Sequence, residues 1–427
     1  MLVSALLQNA QTLIDLFWVG RLGPDAIAAV AMGGTAMLLI FPLFMGLSTG
    51  TIALVSRAIG EDRADAAGHT AGQSLLLSLI FGALSGGVGL WIAEPAIRLL
   101  GADSGITAAG GQYLRILLMG SVTTYLLFTA NSALQGAGNT VTPMQAMLTA
   151  NIINIILDPL LIYGIGPLPR MGIQGAALAT ILAQALACWI SLRKLHCTDG
   201  LPRIHPTHWK LDVPLCRRIL RIGIPGTGQM LSRSLMNAVM MNLISGYGTI
   251  AIAAYGTGMR FHMILLMPAF ALGGAAATMV GQNLGAGQPQ RAYRAAWLAT
   301  GLDAAFMTLS CIAVLIWAPQ LVGLITRDPA VMAVGARYLR LVSPVYIFSS
   351  PGIILGRALN GAGDTLVPMF ITIACLWGLQ VPLAVAMTRI WPGQIDGIWL
   401  AIIAAMILHG LAVIAWFETG RWKTRSI

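Results

Sequence analysis

Asn151, Asn154 and Asp158 fall at i, i+3 and i+7 among isoleucines and leucines, so a helix places all three on one face. Near the start of the chain Gln8, Gln11, Thr12 and Asp15 likewise share a face, and Asn131 adds a further amide. Carboxylate, amide and hydroxyl oxygens suit a sodium ion, for which Asp15, Asn154 and Asp158 are the expected ligands, with Gln11 and Asn151 as secondary polar groups. A carboxyl removed from water can instead carry a proton, so these groups suit either Na⁺ or H⁺. The competing reading is a polar network that locks helices together. Pro159, directly after Asp158, frees backbone carbonyls that could complete a coordination shell.

A second group of polar residues lies further along. Asp303 is expected near mid-membrane, neutralised by Arg233 or Arg260 in a structural ion pair, with a substrate role for Asp303 and Arg260 as the other reading. Met240 and Met263, among several methionines between 230 and 267, offer an adaptable apolar surface for substrates, against ordinary packing as the simpler explanation. His196, His205 and His208 with Cys197 and Cys216 are metal-ligand types, but their spacing matches no zinc pattern, and a solvated basic linker is expected. The five cysteines are scattered and suggest no disulfide framework.

The elements holding these residues follow from composition. Hydrophobic residues make up 57% of 427 and charged residues only 9%, with a mean hydropathy of +0.79. Soluble domains carry about 25% charged residues, so this chain cannot cover a water-facing surface. Apolar runs of about 20 residues recur, each the length of a hydrocarbon core. Twelve spans are expected: 2–19, 28–53, 68–91, 112–132, 141–163, 172–192, 220–245, 252–279, 292–317, 337–357, 366–388 and 397–417. The first run carries Asn9, Gln11 and Asp15 without a basic leader, so it reads as a span and not as a cleavable signal. Alternate loops hold 15 Lys and Arg on one side against 8 on the other, with Arg233 and Arg260 inside spans. The positive-inside rule then places both termini and the 193–219 linker in the cytoplasm. The net charge of +10 therefore reports topology and contact with anionic membrane lipid; no nucleic-acid partner is expected.

The chain also repeats itself. Leu134-Gln-Gly-Ala-Gly-Asn-Thr-Val-Thr-Pro143 returns 225 residues later as Leu359-Asn-Gly-Ala-Gly-Asp-Thr-Leu-Val-Pro368. The same offset pairs Tyr113-Leu114-Arg115 with Tyr338-Leu339-Arg340, Asp103 with Asp328, and Gly23 with Gly248. Six spans separate equivalent points, so the expected fold is all-α, twelve transmembrane helices in two parallel six-helix bundles about a pseudo-two-fold axis along the membrane normal. The expected organisation is an N-terminal lobe over 1–192, a linker over 193–219, a C-terminal lobe over 220–417 and a tail over 418–427. Each Gly-Ala-Gly-x-Thr-x-x-Pro reads as a tight turn opening the next helix. The offset pairs Asp15 with Met240, Asn154 with Leu379 and Asp158 with Leu383, so the acidic cluster exists in one copy only. A lead-in at 219–225 has no counterpart before Met1, and an upstream start is expected.

The two turns, Val280-Gly-Gln-Asn-Leu-Gly-Ala-Gly287 after the eighth span, and two parallel halves together resemble the multidrug and toxic compound extrusion (MATE) family over essentially the whole chain. Ile14-Asp-Leu-Phe-Trp-Val-Gly20 and Asn154-Ile-Ile-Leu-Asp-Pro159 are closest to its DinF-like prokaryotic branch. The resemblance implies a cation site on Asp15, Asn131, Asn154, Asp158 and Thr180. It also implies export of small organic compounds, cationic or amphipathic, by ion-driven antiport across a prokaryotic inner membrane. A monomer without cofactors is expected. The proline often found early in the family's first helix would lie before Met1, and Gln11 stands where some members carry tyrosine. A lipid-linked saccharide flippase is the alternative, and a non-transporting scaffold or receptor a further one. No Walker motif is present, so a gradient and not ATP would supply the energy, and no enzymatic activity is expected.

Overall fold

A computed structural model describes residues 14–101, 103–165, 169–197, 202–391 and 393–425. Its regular structure is helical, with no strand among the described residues. The chain divides into two compact units, Met1–Thr227 and Gly228–Ile427. The first contains α1 (described over 14–19), α2 (Pro24–Gly60), α3 (Ala64–Leu99), α4 (Ser104–Met119), α5 (Ser121–Gly136), α6 (Val141–Tyr163) and α7 (Ile173–Cys197). The division falls inside α8 (Val213–Ser245). The second unit continues with α9 (Thr249–Gly285), α10 (Pro289–Gly323), α11 (Pro329–Val342), α12 (Tyr346–Gly361), α13 (Leu366–Ile373), a π-helical stretch Ala374–Gln380, α14 (Val381–Ile390) and α15 (Asp396–Glu418).

Nine spans among the described residues are long and apolar enough to cross a membrane, and the pair α4–α5, bent by 46°, makes ten if it is one crossing. The chain is a multi-pass membrane protein. Two of the twelve expected spans do not qualify. The first lies mostly outside the described residues, and the seventh carries Arg221, Gln229, Arg233, Asn237 and Asn242 along its length.

The 225-residue offset is visible in element bounds: α2 and α9 start and end in register, as do α5 and α12. Local chemistry repeats with it. The Asp103 side chain caps α4 by accepting from the Ile106 N–H at 2.9 Å, and Asp328 caps α11 by accepting from the Ala330 and Val331 N–H groups at 2.8 and 3.3 Å. Gly138 and Gly363 take φ values of 90° and 81° in the two turns, a conformation that L side chains resist. A Cβ at Gly33 would meet the Tyr113 ring at 2.6 Å, and one at Gly258 the Tyr338 ring at 2.3 Å. Both copies use a missing side chain to seat a buried tyrosine.

One difference from the sequence expectations concerns a charged segment. The linker is docked, not solvated. Gln73 of α3 donates to the His208 and Lys210 carbonyls at 2.8 and 2.7 Å and accepts from the Asp212 N–H at 2.9 Å. His208 is buried there, against Gly68, where a Cβ would collide with the Arg203 carbonyl oxygen at 2.2 Å, and Gly72, where one would press on His208 at 3.0 Å. The tail is also held: Trp422 is buried and stacked on Phe417 at 4.7 Å, and Arg425 bonds to Asp364 at 2.6 Å. Arg357 lies on α12; its stem packs on Gly273 of α9 and its guanidinium stands 5.2 Å from the Phe270 ring centroid.

Candidate cation-coupling site

In the first unit α6 presents Asn151, Asn154 and Asp158 as buried residues while Ile152, Ile155 and Ile156 on its other side are exposed. That is the amphipathic arrangement expected of a membrane helix turning its polar face to protein. α7 approaches α6 at Gly175, where a Cβ would stand 2.5 Å from the Leu161 carbonyl oxygen. This close approach brings Thr180, five residues on, to the level of the acids. The end of α1 is fixed by the Tyr163 hydroxyl, which donates to the Trp18 carbonyl at 2.7 Å, and by Val19 packing with Tyr113, Ile162, Ala176 and Ala177.

Asp15 is thereby held within side-chain reach of Asp158, Asn154 and Thr180. Asn154 Nδ2 donates to Asp158 Oδ1 at 3.2 Å, and the Thr180 hydroxyl donates to Asp15 Oδ2 at 3.4 Å while also approaching the Ala176 carbonyl at 3.0 Å. Asp15 Oδ1, Asn154 Oδ1 and Asp158 Oδ2 remain, each buried and without a hydrogen-bond partner among the described residues. Buried acceptors are normally satisfied. Two carboxyls in contact, with a third oxygen beside them, suit a shared proton or a small hard cation.

Asn131 is buried on α5, and its side-chain oxygen accepts from Ser191 at 2.8 Å. Ser191 lies eleven residues beyond Thr180 on α7, about 16 Å along the helix axis at 1.5 Å per residue. The structure therefore brings together Asp15, Asn154, Asp158 and Thr180, but sets Asn131 at another level. Gln11 lies outside the described residues. Tyr113 was not singled out for the site from sequence, yet it is buried within electrostatic range of both acids. Its only signal there was its place in the internal repeat.

In the second unit Met240 is buried in a core with Met236, Ile244, Tyr255 and Trp399, whereas Met263 and Arg260 are exposed. Asp303 is buried on α10 and faces Ser350. It forms no ion pair among the described residues, so the expected neutralisation by Arg233 or Arg260 does not occur. Arg233 instead donates to His409 Nε2 on α15 at 3.3 Å.

Comparison with known proteins agrees with this architecture. The MatE family model matches residues 1–160 and 225–386, two segments related by nearly the same offset as the internal repeat. Relatives include the FAD transporter of Shewanella oneidensis, 32% identical, with 94% of this chain and 88% of that protein covered. Another is the probable multidrug resistance protein YoeA of Bacillus subtilis, 26% identical, covering 100% and 93%. A solved structure of a MOP superfamily transporter from Pyrococcus furiosus shares the fold with a TM-score of 0.91 at 24% identity, covering 100% of this chain and 95% of that one. With the family model matched in both halves and a relative above 30% identity along nearly the full length, the chain belongs to the MatE family.

Proposed function

We propose that this protein is a secondary active antiporter that exports small organic compounds by alternating access, driven by Na⁺ or H⁺. The observation that carries the reading is the set of three buried, unpartnered oxygens on Asp15, Asn154 and Asp158. A network that merely locked helices would satisfy its own oxygens; a site that loads and unloads an ion must leave them available. The names of the relatives, a probable multidrug resistance protein and an FAD transporter, support an organic cargo. The internal repeat supports the fuller architecture of twelve spans in two parallel bundles, and the excess of Lys and Arg in alternate loops supports placing both termini on the cytoplasmic side of a prokaryotic inner membrane.

In this mechanism the external ion binds at Asp15 and Asp158 in the outward-open state. It replaces a shared proton or an empty, repelling pair, and so alters how the end of α1 sits against α6. Affinity for the cargo falls and the cargo leaves outside. The empty site then returns inward. Coupling requires that ion and cargo each distinguish the two states. The test is export of fluorescent organic compounds of both charges, ethidium and flavin mononucleotide, from proteoliposomes under imposed Na⁺ or pH gradients. Asp15→Asn and Asp158→Asn are each expected to lower gradient-driven export at least tenfold. Export indifferent to both gradients, or equal to wild type in both variants, would overturn the reading.

A further inference from the structure

The second unit holds two partly buried arginines, Arg233 and Arg357, that no acid pairs with among the described residues. Arg233 on α8 meets His409 on α15 at 3.3 Å. A guanidinium only donates, so His409 Nε2 must accept and its ring is neutral. Arg357 on α12 and His262 on α9 both lie within electrostatic range of Arg233. Thr372 stands 3.2 Å from His409 Nε2 and accepts from Gln229 at 3.1 Å, which adds neutral polar groups beside the cations.

Residues 228–427 contain five acids. Asp328 caps α11, Asp364 binds Arg425 and the Trp416 indole N–H, Asp396 pairs with Arg337, and Glu418 accepts from Tyr293 and Trp297. Asp303 faces Ser350. Neither Arg233 nor Arg357 makes an ion pair among the described residues. Two like charges held within range of each other at low dielectric repel, and the arrangement is relieved when an anion joins them. Arg233 uses a single contact to His409, and Arg357 is braced on Gly273 and Phe270, so N–H groups of both remain for an oxyanion.

The internal repeat isolates this feature. The first-half counterparts of Arg233, Arg357, His409 and His262 are Gln8, Ser132, Gln184 and Met37. Cations occupy the second copy alone, just as the coupled acids occupy the first alone. We propose that the second unit holds an anion subsite, formed by Arg233 and Arg357 with Gln229 and Thr372 beside them, which takes the phosphate or carboxylate group of an amphipathic organic cargo. This rests on the transport reading for its purpose, and it replaces the expectation of a cationic cargo.

The test uses the full chain purified in detergent. Flavin mononucleotide and riboflavin share a fluorescent ring and differ in one phosphate. Wild type is expected to bind flavin mononucleotide at least tenfold more tightly than riboflavin, and inorganic pyrophosphate is expected to displace it. Arg233→Gln and Arg357→Gln should each bring the two flavins to within twofold, while Arg233→Lys retains part of the preference and shows that loss of charge, not of fold, is responsible. Equal binding of the two flavins by wild type, or no displacement by pyrophosphate, overturns the subsite. Displacement by phosphatidylglycerol but not by pyrophosphate makes it a lipid headgroup seat and overturns its assignment to cargo. Gradient-driven export of ethidium without any flavin mononucleotide preference would remove the anion subsite and leave the antiport reading standing. The preference without gradient-driven export of any compound would do the reverse.

Discussion

Asn154 and Thr180 show how hydrogen-bond geometry ranks side chains that sequence presents as equals. Asn154 directs its amide N–H to Asp158 at 3.2 Å and keeps a buried oxygen free. Thr180 reaches Asp15 at 3.4 Å and shares its one proton with the Ala176 carbonyl. A buried hydrogen bond contributes about 1 kcal/mol, more when its loss strands a partner. Asn154→Ala is therefore expected to raise the ion concentration for half-maximal export about tenfold, and Thr180→Val by no more than about twofold. Export rates measured against external Na⁺ and pH decide this; equal effects of the two changes would show that the hydroxyl is a full ligand.

Helix pairs depend on where side chains are missing. A Cβ at Gly175 would lie 2.5 and 2.6 Å from the Leu161 carbonyl oxygen and carbon, and backbone atoms of an intact helix cannot step aside. Gly175→Ala should force α6 and α7 apart, cost about 1–3 kcal/mol and weaken ion dependence by moving Thr180 off Asp15. Gly34, with nothing within 4 Å of its Cβ position, is the control: Gly34→Ala should leave thermal stability unchanged or raise it by up to about 1 kcal/mol. Melting curves of the two variants, read with and without Na⁺, separate packing from coupling.

The docked linker carries a pH dependence of known sign. Burial pushes the His208 imidazole below its ordinary value, against the opposing pull of Asp65 at 3.2 Å. A histidine whose value falls on docking is more readily protonated when released, so docking is strongest above about pH 6.5 and weakens as pH falls below that value. Asp212, held below the usual carboxylate range by its bond to His69, adds a contribution that fades only in stronger acid. Tryptic cleavage at Arg203 and Lys210, normalised to an unstructured peptide, should rise between pH 7.5 and 5.5. Gln73→Leu should raise it at both values by removing four linker hydrogen bonds. A cleavage rate flat with pH would show that His208 does not report docking.

Across the molecule, the repeated scaffold carries different groups in its two halves: a buried pair of acids, each with one oxygen left without a hydrogen bond, in one half, and arginines without an ion-pair partner among the described residues in the other. The proposed orientation has a direct probe, because among the five cysteines only Cys197, at the end of α7, is exposed. A membrane-impermeant maleimide should label it in inside-out vesicles and not in intact cells. Labelling from the cell exterior would invert the proposed topology.

Sequence by itself determined the membrane class, the duplication, the turn glycines and the polar face of α6, because composition, a constant offset and helical periodicity are properties of residues near one another in the chain. Residue types also grouped Asp15 with Asp158, but the family resemblance left Asn131 in the same site, and Asp303 was given an arginine. Tertiary structure decided those matters: Asn131 bonds to Ser191, Arg233 to His409, and Asp303 faces Ser350. Which helix faces meet, and at what height, depends on close approaches such as Gly175 on Leu161. Those arise between segments distant in sequence, so no local pattern encodes them.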